Sequence, residues 1–233
     1  MTATVLHLAG ERLLLDPDGA LFWPAAGVLA VADLHLEKGT AAARRGSLVP
    51  PWDTRITLDR LAVLLERWQP GRVVLLGDSF HDRHAHARLP AAEATRLAQM
   101  AEAAEFVWVS GNHDPLPPEG LRGLAVAEWR HGTLAFRHQA RQAQAGAAAA
   151  EVCGHHHPKA RVQTRAGWVS RACFVAAPDR LMLPALGAYT GGLDVAHPEI
   201  AALFPGGGQV FLLGRERLFR FALGHVGARG AGG

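Results

Sequence analysis

Five short polar clusters contain the residues of this sequence that are best suited to chemistry. Each combines aspartate, asparagine or histidine, whose oxygen and nitrogen atoms are suitable ligands for divalent cations. The clusters are Asp33–His35, Gly77–Asp82, Gly111–Asp114, Phe136–His138 and Gly154–Pro158. At least four of them follow an apolar run with the composition of a buried strand. Because α/β sheets bind ligands at the carboxyl ends of their strands, we expect the clusters to converge on one site.

The spacing within these clusters favours a pair of metal ions. Asp33 and His35 are two residues apart, as are His155 and His157, and on an extended segment such a pair shares one face. Asp78 stands alone after a glycine, and one carboxylate can bridge two cations. Two cations about 3.5–4 Å apart hold a hydroxide and neutralise a phosphate. The pattern predicts hydrolysis of a phosphate ester by in-line attack of a metal-bridging hydroxide.

Each motif taken alone has a more ordinary explanation. An isolated Asp-x-His is usually a surface pair, Gly-Asp after a strand is often only a turn, and a single histidine such as His138 usually belongs to the core or the surface. Gly-Asn-His-Asp-Pro after a strand is much rarer. Three consecutive histidines at 155–157 are costly to bury without a ligand. The occurrence of all five clusters in this order favours a metal site over these ordinary explanations.

Strand-like and helical segments alternate in the first half of the chain. Apolar runs predict buried strands over Val28–Ala32, Arg72–Leu76 and Phe106–Val109. Apolar residues at helical spacing predict helices over Asp53–Trp68 and Pro90–Glu105, with Asp53 or Thr54 as the cap of the first helix.

The second half of the chain is richer in strands. The predicted strands are Glu151–Cys153, Val169–Val175, Arg180–Pro184, Gln209–Leu213 and Arg217–Phe221, with a hairpin turn at Gly214–Glu216. We therefore expect an α/β fold in which two packed sheets are flanked by helices. A single domain is expected over residues 1–224, followed by a disordered tail over 225–233. The Ala-rich stretch Gln139–Ala150 is expected to form a surface loop or short helix.

Composition narrows the class of protein. Lys and Arg number 24 against 21 Asp and Glu, a small excess that permits a polyanionic partner without requiring one. The two cysteines, Cys153 and Cys173, are too few for a disulfide framework, and we expect buried free thiols. No apolar run reaches the roughly 18 residues of a membrane span. The sequence predicts a cytoplasmic protein with no membrane partner.

The ordered set of motifs resembles the signature of calcineurin-like metallophosphoesterases: Asp-x-His, Gly-Asp, Gly-Asn-His-Asp, a single His, then Gly-His-x-His. Further segments resemble one subfamily, the ligase-associated DNA damage response endonucleases known as PdeM. The resembling segments are Val31–Gly39, Leu48–Leu58, Leu75–Asp82, Val109–Pro115, Phe136–His138, Gly154–Pro158 and Leu183–Leu193. One departure is that Gln139 and Ala140 follow His138, where the subfamily often has x-Pro.

The resemblance implies a four-layer αββα fold, with two mixed β-sheets packed face to face between helices. It also implies two metal ions, usually Mn²⁺ in this subfamily. The implied ligands are Asp33, His35 and His157 for the first ion and Asn112, His138 and His155 for the second, with Asp78 bridging the two. By the same resemblance, His113 contacts the scissile phosphate and protonates the leaving oxygen, and Asp114 orients His113. Strand alternation is expected to turn His156 away from the metals.

The subfamily resemblance implies a DNA endonuclease that acts on single-stranded or looped DNA in repair, with an ATP-dependent DNA ligase and a helicase as partners. Lys38, Arg44 and Arg45 would follow phosphates while Trp52 stacks on a base. The alternative is that Trp52 anchors a helix and the arginines are only solvated. His81 is a further candidate for contact with substrate or a metal-bound water.

Other functions stay open at this point. A phosphodiesterase acting on small molecules, cyclic nucleotides or RNA would use the same metal site with a different rim. A protein phosphatase is disfavoured, since nothing in the sequence suggests a groove for a phosphopeptide. A non-catalytic nucleic-acid-binding protein is also disfavoured, because no ligand of the signature is missing.

Overall fold

Two β-sheets packed face to face form the centre of the molecule. The structure is a computed structural model that describes residues 2–47, 49–114, 120–141 and 148–226. The first sheet has seven strands in chain order, β1 to β7. They are β1 Thr4–Leu8, β2 Glu11–Leu15, β3 Leu21–Trp23, β4 Val28–Val31, β5 Arg72–Leu76, β6 Glu105–Val109 and β7 Leu124–Val126.

The second sheet has eight strands in the order β15-β14-β12-β13-β10-β9-β8, with β11 paired to β12. Its strands are β8 Glu128–His131, β9 Leu134–Arg137, β10 Ala150–Cys153, β11 Lys159–Thr164, β12 Gly167–Ala177, β13 Arg180–Met182, β14 Gln209–Leu213 and β15 Leu218–Ala222. Both sheets are mixed. Strands β4 to β7 run parallel in the first sheet, and β9, β10 and β13 run parallel in the second.

The central strands of the first sheet are buried on both faces. Along β4, Val28 and Ala30 face the second sheet and pack with Phe136, whereas Leu29 and Val31 face the helices. Successive residues of a strand point to opposite faces, so this uninterrupted apolar run fills two cores at once. The same alternation recurs in β5 and β6 and fixes the strand ends from which the polar clusters emerge.

Helices cover the outer faces of the two sheets. They are α1 Lys38–Arg44, α2 Asp53–Trp68, α3 Ala85–Arg88, α4 Ala91–Ala103 and α5 Pro198–Ala201. Leu58 and Leu61 of α2 and Leu97 of α4 pack on the first sheet. On the second sheet the outer layer is thin, with Ile200 of α5 and Phe204 beyond it covering the core. The αββα arrangement expected from the sequence is confirmed.

Most of the elements expected from the sequence are found within two residues of their predicted ends. The sequence did not predict strands β1 to β3, strand β7, the β8–β9 hairpin or strand β11. The Ala-rich stretch ends in β10, and its residues 142–147 lie outside the described chain. Cys153 and Cys173 are buried free thiols, as expected.

The predicted helix cap is wrong. Trp52 occupies the N-cap position of α2 without a capping side-chain bond. Asp53 Oδ2 instead accepts a hydrogen bond from Gly39 N at 3.0 Å, and Thr54 Oγ1 accepts one from Glu37 N at 2.8 Å. These side chains tie α2 to the start of α1, so tertiary contacts take precedence over local capping.

A 3₁₀ turn spans Leu223–His225, and residues 227–233 lie outside the described chain, so the end of the domain at residue 224 stays a prediction. Among the described helices, none is both long and apolar enough to cross a membrane.

A buried carboxylate fastens α2 to the first sheet, and its removal should destabilise the fold. Asp16 accepts hydrogen bonds from Arg67 Nη1 at 2.7 Å and Trp68 Nε1 at 2.8 Å. We expect Asp16→Ala to lower the free energy of unfolding by about 2–3 kcal/mol, because the indole N–H loses its acceptor and an ion pair is broken. Urea denaturation measures this.

The matched control is Asp59→Ala, which also lies on α2 and removes an exposed ion pair with Arg96 of α4. That change should cost less than about 1 kcal/mol. Equal losses for the two variants would contradict the assignment of Asp16 as a tertiary anchor.

Candidate metal centre

Two buried carboxylates, Asp33 and Asp78, lie at the middle of the site and each uses one oxygen to hold another motif. Asp33 follows β4, and its Oδ2 accepts a hydrogen bond from His155 N at 2.9 Å. Asp78 follows β5, and its Oδ1 accepts one from His113 N at 2.9 Å. The second oxygen of each carboxylate is left to face the histidines.

The first group of ligand atoms comprises Asp33, His35 and His157. The Nε2 atoms of His35 and His157 are 3.2 Å apart, and His157 Nε2 is 3.4 Å from Asp33 Oδ1. All three ligand atoms lie within 4.8 Å of one another. One carboxylate and two imidazoles at these separations can surround a single divalent cation.

The second group comprises Asp78, His138 and His155. His138 Nε2 lies 3.4 Å from Asp78 Oδ2 and 3.1 Å from His155 Nδ1. The side-chain amide of Asn112 adjoins this group, with Nδ2 at 3.3 Å from His155 Nδ1. Because amide nitrogen and oxygen are interchangeable by a half-turn, Asn112 can present Oδ1 to a cation here.

Asp78 lies between the two groups. Its Oδ2 is 3.4 Å from His138 Nε2 in the second group and 3.8 Å from His35 Nε2 in the first. The structure thus brings all seven residues predicted as ligands into one place, in the two groups that the family resemblance implied. Their binding of metal stays a prediction.

The local backbone differs from the extended segments that the spacing suggested. Five of the predicted ligands have left-handed backbone conformations: Asp33 (φ 54°), His35 (φ 46°), Asp78 (φ 46°), His155 (φ 73°) and His157 (φ 47°). Side chains two residues apart do converge, but through tight turns rather than strand alternation. Such conformations are strained for residues with a Cβ and persist where surrounding contacts enforce them.

His156 turns away from the two groups, as predicted. Its Nε2 lies 3.8 Å from Glu199 Oε2, at the outer helical layer of the second sheet.

The donors present fit divalent cations. Asp33 Oδ1 is buried and has no hydrogen-bond partner within the described protein, which is costly for a carboxylate oxygen unless a cation meets it. Burial lowers the pKa of His35 to about 3 and that of His155 to about 4. Both imidazoles are therefore neutral at physiological pH, the state in which they bind metals.

His138 and Asp78 interact directly with each other. Burial alone would lower the pKa of His138, but its bond to Asp78 and the charge of Asp33 raise it to about 9. Burial alone would raise the pKa of the Asp78 carboxyl, but His138 holds it well below its usual range. A cation bound between them would replace the imidazolium proton, so metal binding should release a proton.

Outer hydrogen bonds orient two of the imidazoles. His138 Nδ1 lies 2.9 Å from Leu76 O and donates to it, which leaves Nε2 free for a cation. Gln139 Nε2 lies 2.9 Å from His155 Nε2. For His155 to bind through Nδ1, its Nε2 must carry the proton, so the Gln139 amide would turn to accept it through Oε1.

The two predicted catalytic residues occupy different environments. The His113 side chain is half exposed beside the site, with Nε2 at 3.9 Å from Asp78 Oδ2, and its ring stacks on His81. Asp114 is buried, which raises its pKa to about 7, and its Oδ2 accepts a hydrogen bond from Phe80 N at 2.9 Å. Asp114 thereby holds the loop after β5. Its role in orienting His113 stays a prediction.

The rim next to α1 is positively charged. His81 has its pKa lowered by burial and then by the nearby charges of Lys38 and Arg45. Arg44 is exposed at the end of α1, and Trp52 is 63% exposed. This exposure disfavours the alternative in which Trp52 anchors α2. Contact of these residues with a substrate stays a prediction.

The glycines of three motifs are required by close approach, which the sequence reasoning did not recognise. A Cβ on Gly111 would lie 2.1 Å from Asp78 N, and one on Gly154 would lie 2.6 Å from Asp33 Oδ2. A Cβ on Gly77 would lie 2.5 Å from the His138 ring. In the sequence, a glycine directly precedes each of Asp78, Asn112 and His155, and this repeated pattern could have identified these positions.

A buried support of the site was also missed. Glu37 is buried, and its carboxylate accepts hydrogen bonds from Thr54 Oγ1 at 2.8 Å and Thr40 Oγ1 at 2.7 Å. It fixes the turn between His35 and α1. No pattern in a single sequence distinguishes such a residue from an exposed glutamate.

We expect Gly111→Ala to weaken metal binding about 10- to 100-fold, because the added methyl displaces Asp78, whose carboxylate adjoins both groups. Calorimetric titration with Mn²⁺ measures the affinity. Gly206→Ala is the control, since a Cβ there meets no atom within 4 Å. Unchanged Mn²⁺ affinity in Gly111→Ala would contradict the placement of Asp78 at the centre of the site.

Two solved structures match this chain over most of its length. The crystal structure of the nuclease MPE of Pseudomonas putida matches with a TM-score of 0.71 and 28% sequence identity, covering 94% of this chain and 100% of that chain. Yfce, a phosphoesterase from E. coli, matches with a TM-score of 0.41 and 14% identity, covering 84% and 98%. No significant match was found among curated proteins.

The family model described as calcineurin-like phosphoesterase matches residues 27–183, a range that contains all five polar clusters. The family expected from the motifs is thereby confirmed, and the similarity to a nuclease is consistent with the subfamily resemblance. This chain belongs to the calcineurin-like phosphoesterase family.

Proposed function

We propose that this protein is a phosphodiesterase with two divalent cations, and that it acts as an endonuclease on single-stranded or looped DNA. The observation that carries the proposal is the position of Asp78, whose Oδ2 adjoins both groups of ligand atoms. Membership of the phosphoesterase family supports the reaction class. The similarity to a nuclease supports a nucleic acid as substrate.

The residues have distinct roles in this proposal. Asp33, His35 and His157 would hold one cation, and Asn112, His138 and His155 the other, with Asp78 shared. When bound, the cations supply hydroxide at neutral pH and neutralise the phosphate. His113 lies at the open side of the site, where its Nε2 can donate a proton to the leaving oxygen.

The positive rim supports a polyanionic substrate. Lys38 and Arg45 lie close enough to His81 to lower its pKa, and Trp52 offers an exposed aromatic face nearby in sequence. Cations beside an aromatic ring suit a nucleic-acid strand, because they pair with phosphates while the ring stacks on a base.

The cellular context belongs to the same proposal and rests on the subfamily resemblance. It comprises Mn²⁺ as the metal, a role in DNA repair, a cytoplasmic location and association with an ATP-dependent DNA ligase and a helicase. Co-purification of the protein with each of these enzymes is the direct test of the association.

The two-cation arrangement predicts that Asp78→Ala lowers kcat/KM for a chromogenic phosphodiester by at least about 100-fold, since several kcal/mol of charge stabilisation is lost. The assay is steady-state hydrolysis with saturating Mn²⁺. Asp59→Ala, an exposed carboxylate on α2, is the control and should keep wild-type activity. Activity of Asp78→Ala within about tenfold of the wild type would rule out the shared-carboxylate scheme.

The proposed substrate predicts a clear order of turnover. With Mn²⁺, single-stranded or hairpin-loop DNA should be cleaved internally and faster than duplex DNA, RNA or a cyclic nucleotide. Gel analysis of end-labelled substrates measures this, and Asn112→Ala should remove the activity if it belongs to this site. Faster turnover of a cyclic nucleotide or RNA would show that DNA is not the preferred substrate, although the protein would still be a phosphodiesterase.

A further inference from the structure

A second concave surface lies beside the metal centre. It is a groove of about 830 Å³, bounded by α2, the β11–β12 hairpin and the β14–β15 hairpin. The segment 185–190 forms one wall of the groove. The wall combines apolar side chains with basic ones, and none of the metal-ligand residues lines it.

The start of the wall segment and the chain just beyond its end are hydrogen-bonded to the loops that carry the ligands of the first group. Leu186 N donates to Ala32 O at 2.9 Å, and Gly187 N donates to Asp33 O at 3.1 Å. Farther along, Leu193 N donates to His156 O at 3.2 Å. These bonds attach the wall of the groove to the backbone of the Asp33 and His156 loops, which belong to the candidate metal centre.

Tyr189 is held on this wall in a strained conformation. Its φ is 61° and its side chain is 41% exposed. A left-handed conformation is unusual for a bulky residue and requires surrounding contacts to maintain it. Ala188 N donates to Thr57 Oγ1 at 2.9 Å, and Thr190 Oγ1 donates to Gly187 O at 2.9 Å. The backbone on both sides of Tyr189 is thus fixed, while Tyr189 itself lines the groove and is exposed.

The groove is electropositive. Among the described residues, its lining carries four basic side chains: Arg60, Lys159, Arg171 and Arg215. The lining carboxylate, Asp18, is already paired with Arg67 Nη1 at 2.8 Å. Lys159 directly follows the Gly154–Pro158 cluster in the chain, so the positive charge of the groove extends to the loop that carries His157.

We propose that this groove binds the single-stranded DNA that flanks the scissile phosphate, with Tyr189 stacking on a base and Arg171 and Arg215 contacting phosphates. Apolar walls with basic side chains and two exposed aromatic residues, Tyr189 and Phe219, suit unpaired nucleotides, whose bases and phosphates need both kinds of contact. The inference rests on the proposed function, because it requires a DNA strand at the metal centre.

Substrate length tests the inference. With Mn²⁺ and the full chain, kcat/KM is compared for oligo(dT) of about 4 and about 16 nucleotides, the range that single-strand binding surfaces cover. The wild type should prefer the longer strand. Arg171→Ala/Arg215→Ala should reduce that preference about tenfold through the loss of two phosphate contacts, and the salt dependence should weaken by about 1.4 in log–log slope.

A second comparison tests the role of the Tyr189 ring. Tyr189→Ala should reduce the length preference by about 5- to 100-fold, whereas Tyr189→Phe, which keeps the stacking face, should retain it. Arg12→Ala/Arg220→Ala is the charge-matched control, because both residues are exposed and Arg220 points to the face of β15 opposite Phe219. Thermal unfolding and Mn²⁺ titration confirm that each variant is folded and loaded.

The outcomes separate the two proposals. If the wild type cleaves DNA but the arginine pair and Tyr189→Ala keep its length preference, the groove is not the DNA path and the inference is overturned. If the wild type cleaves neither oligonucleotide while hydrolysing a chromogenic diester, the proposed DNA substrate is wrong and the inference fails with it. If the Arg12/Arg220 control loses as much preference as the groove variants, the effect is one of total charge and the groove assignment is overturned.

Discussion

The burial of two carboxylates is the constraint on which the rest of the site depends. Asp33 and Asp78 are withdrawn from solvent almost completely, and a buried carboxylate requires either hydrogen bonds or a cation. One oxygen of each carboxylate accepts a hydrogen bond from a backbone N–H of a distant motif. His155 N donates to Asp33, and His113 N donates to Asp78. The remaining oxygens are directed at imidazoles, where cations would complete the coordination. The same two side chains therefore hold the loops together and lie at the centre of the candidate metal site.

The topology explains why these loops meet. Strands β4, β5 and β6 are parallel, so their carboxyl ends lie along one edge of the first sheet. Strands β9 and β10 are parallel in the second sheet and end in the histidine clusters. Packing the sheets face to face brings the two edges together. The backbone strain at five ligand positions is sustained there by the carboxylate bonds and by glycines that allow close approach.

Two separate sets of contacts hold the loops of the candidate metal centre in place. On one side, Glu37 and Asp53 connect the turn after His35 to α2 and present the basic start of α1. On the other side, the 185–193 segment runs from the Asp33 loop to the His156 loop and walls the groove. Both sets of contacts attach to the backbone of the ligand loops. A strand that crosses the site would thus contact surfaces whose positions are coupled rigidly to the metal ligands.

The sequence by itself determined the residue types of the site, their order and the principal strands and helices. The motifs Asp-x-His, Gly-Asp and Gly-Asn-His-Asp resemble a family signature so specifically that this resemblance named seven ligand candidates before any fold was known. Apolar runs such as Val28–Val31 and Arg72–Leu76 could also be predicted as strands, because a strand that is buried on both faces consists almost entirely of apolar residues.

Only the tertiary structure decided how those residues meet. The spacing of Asp33 and His35 suggested an extended segment, yet both are left-handed, since hydrogen bonds from other loops hold them so. Asp53 looked like a helix cap but bonds to Gly39, and Tyr189 carried no local sign of its strained position. Each of these depends on contacts between residues far apart in the chain, which no local pattern encodes.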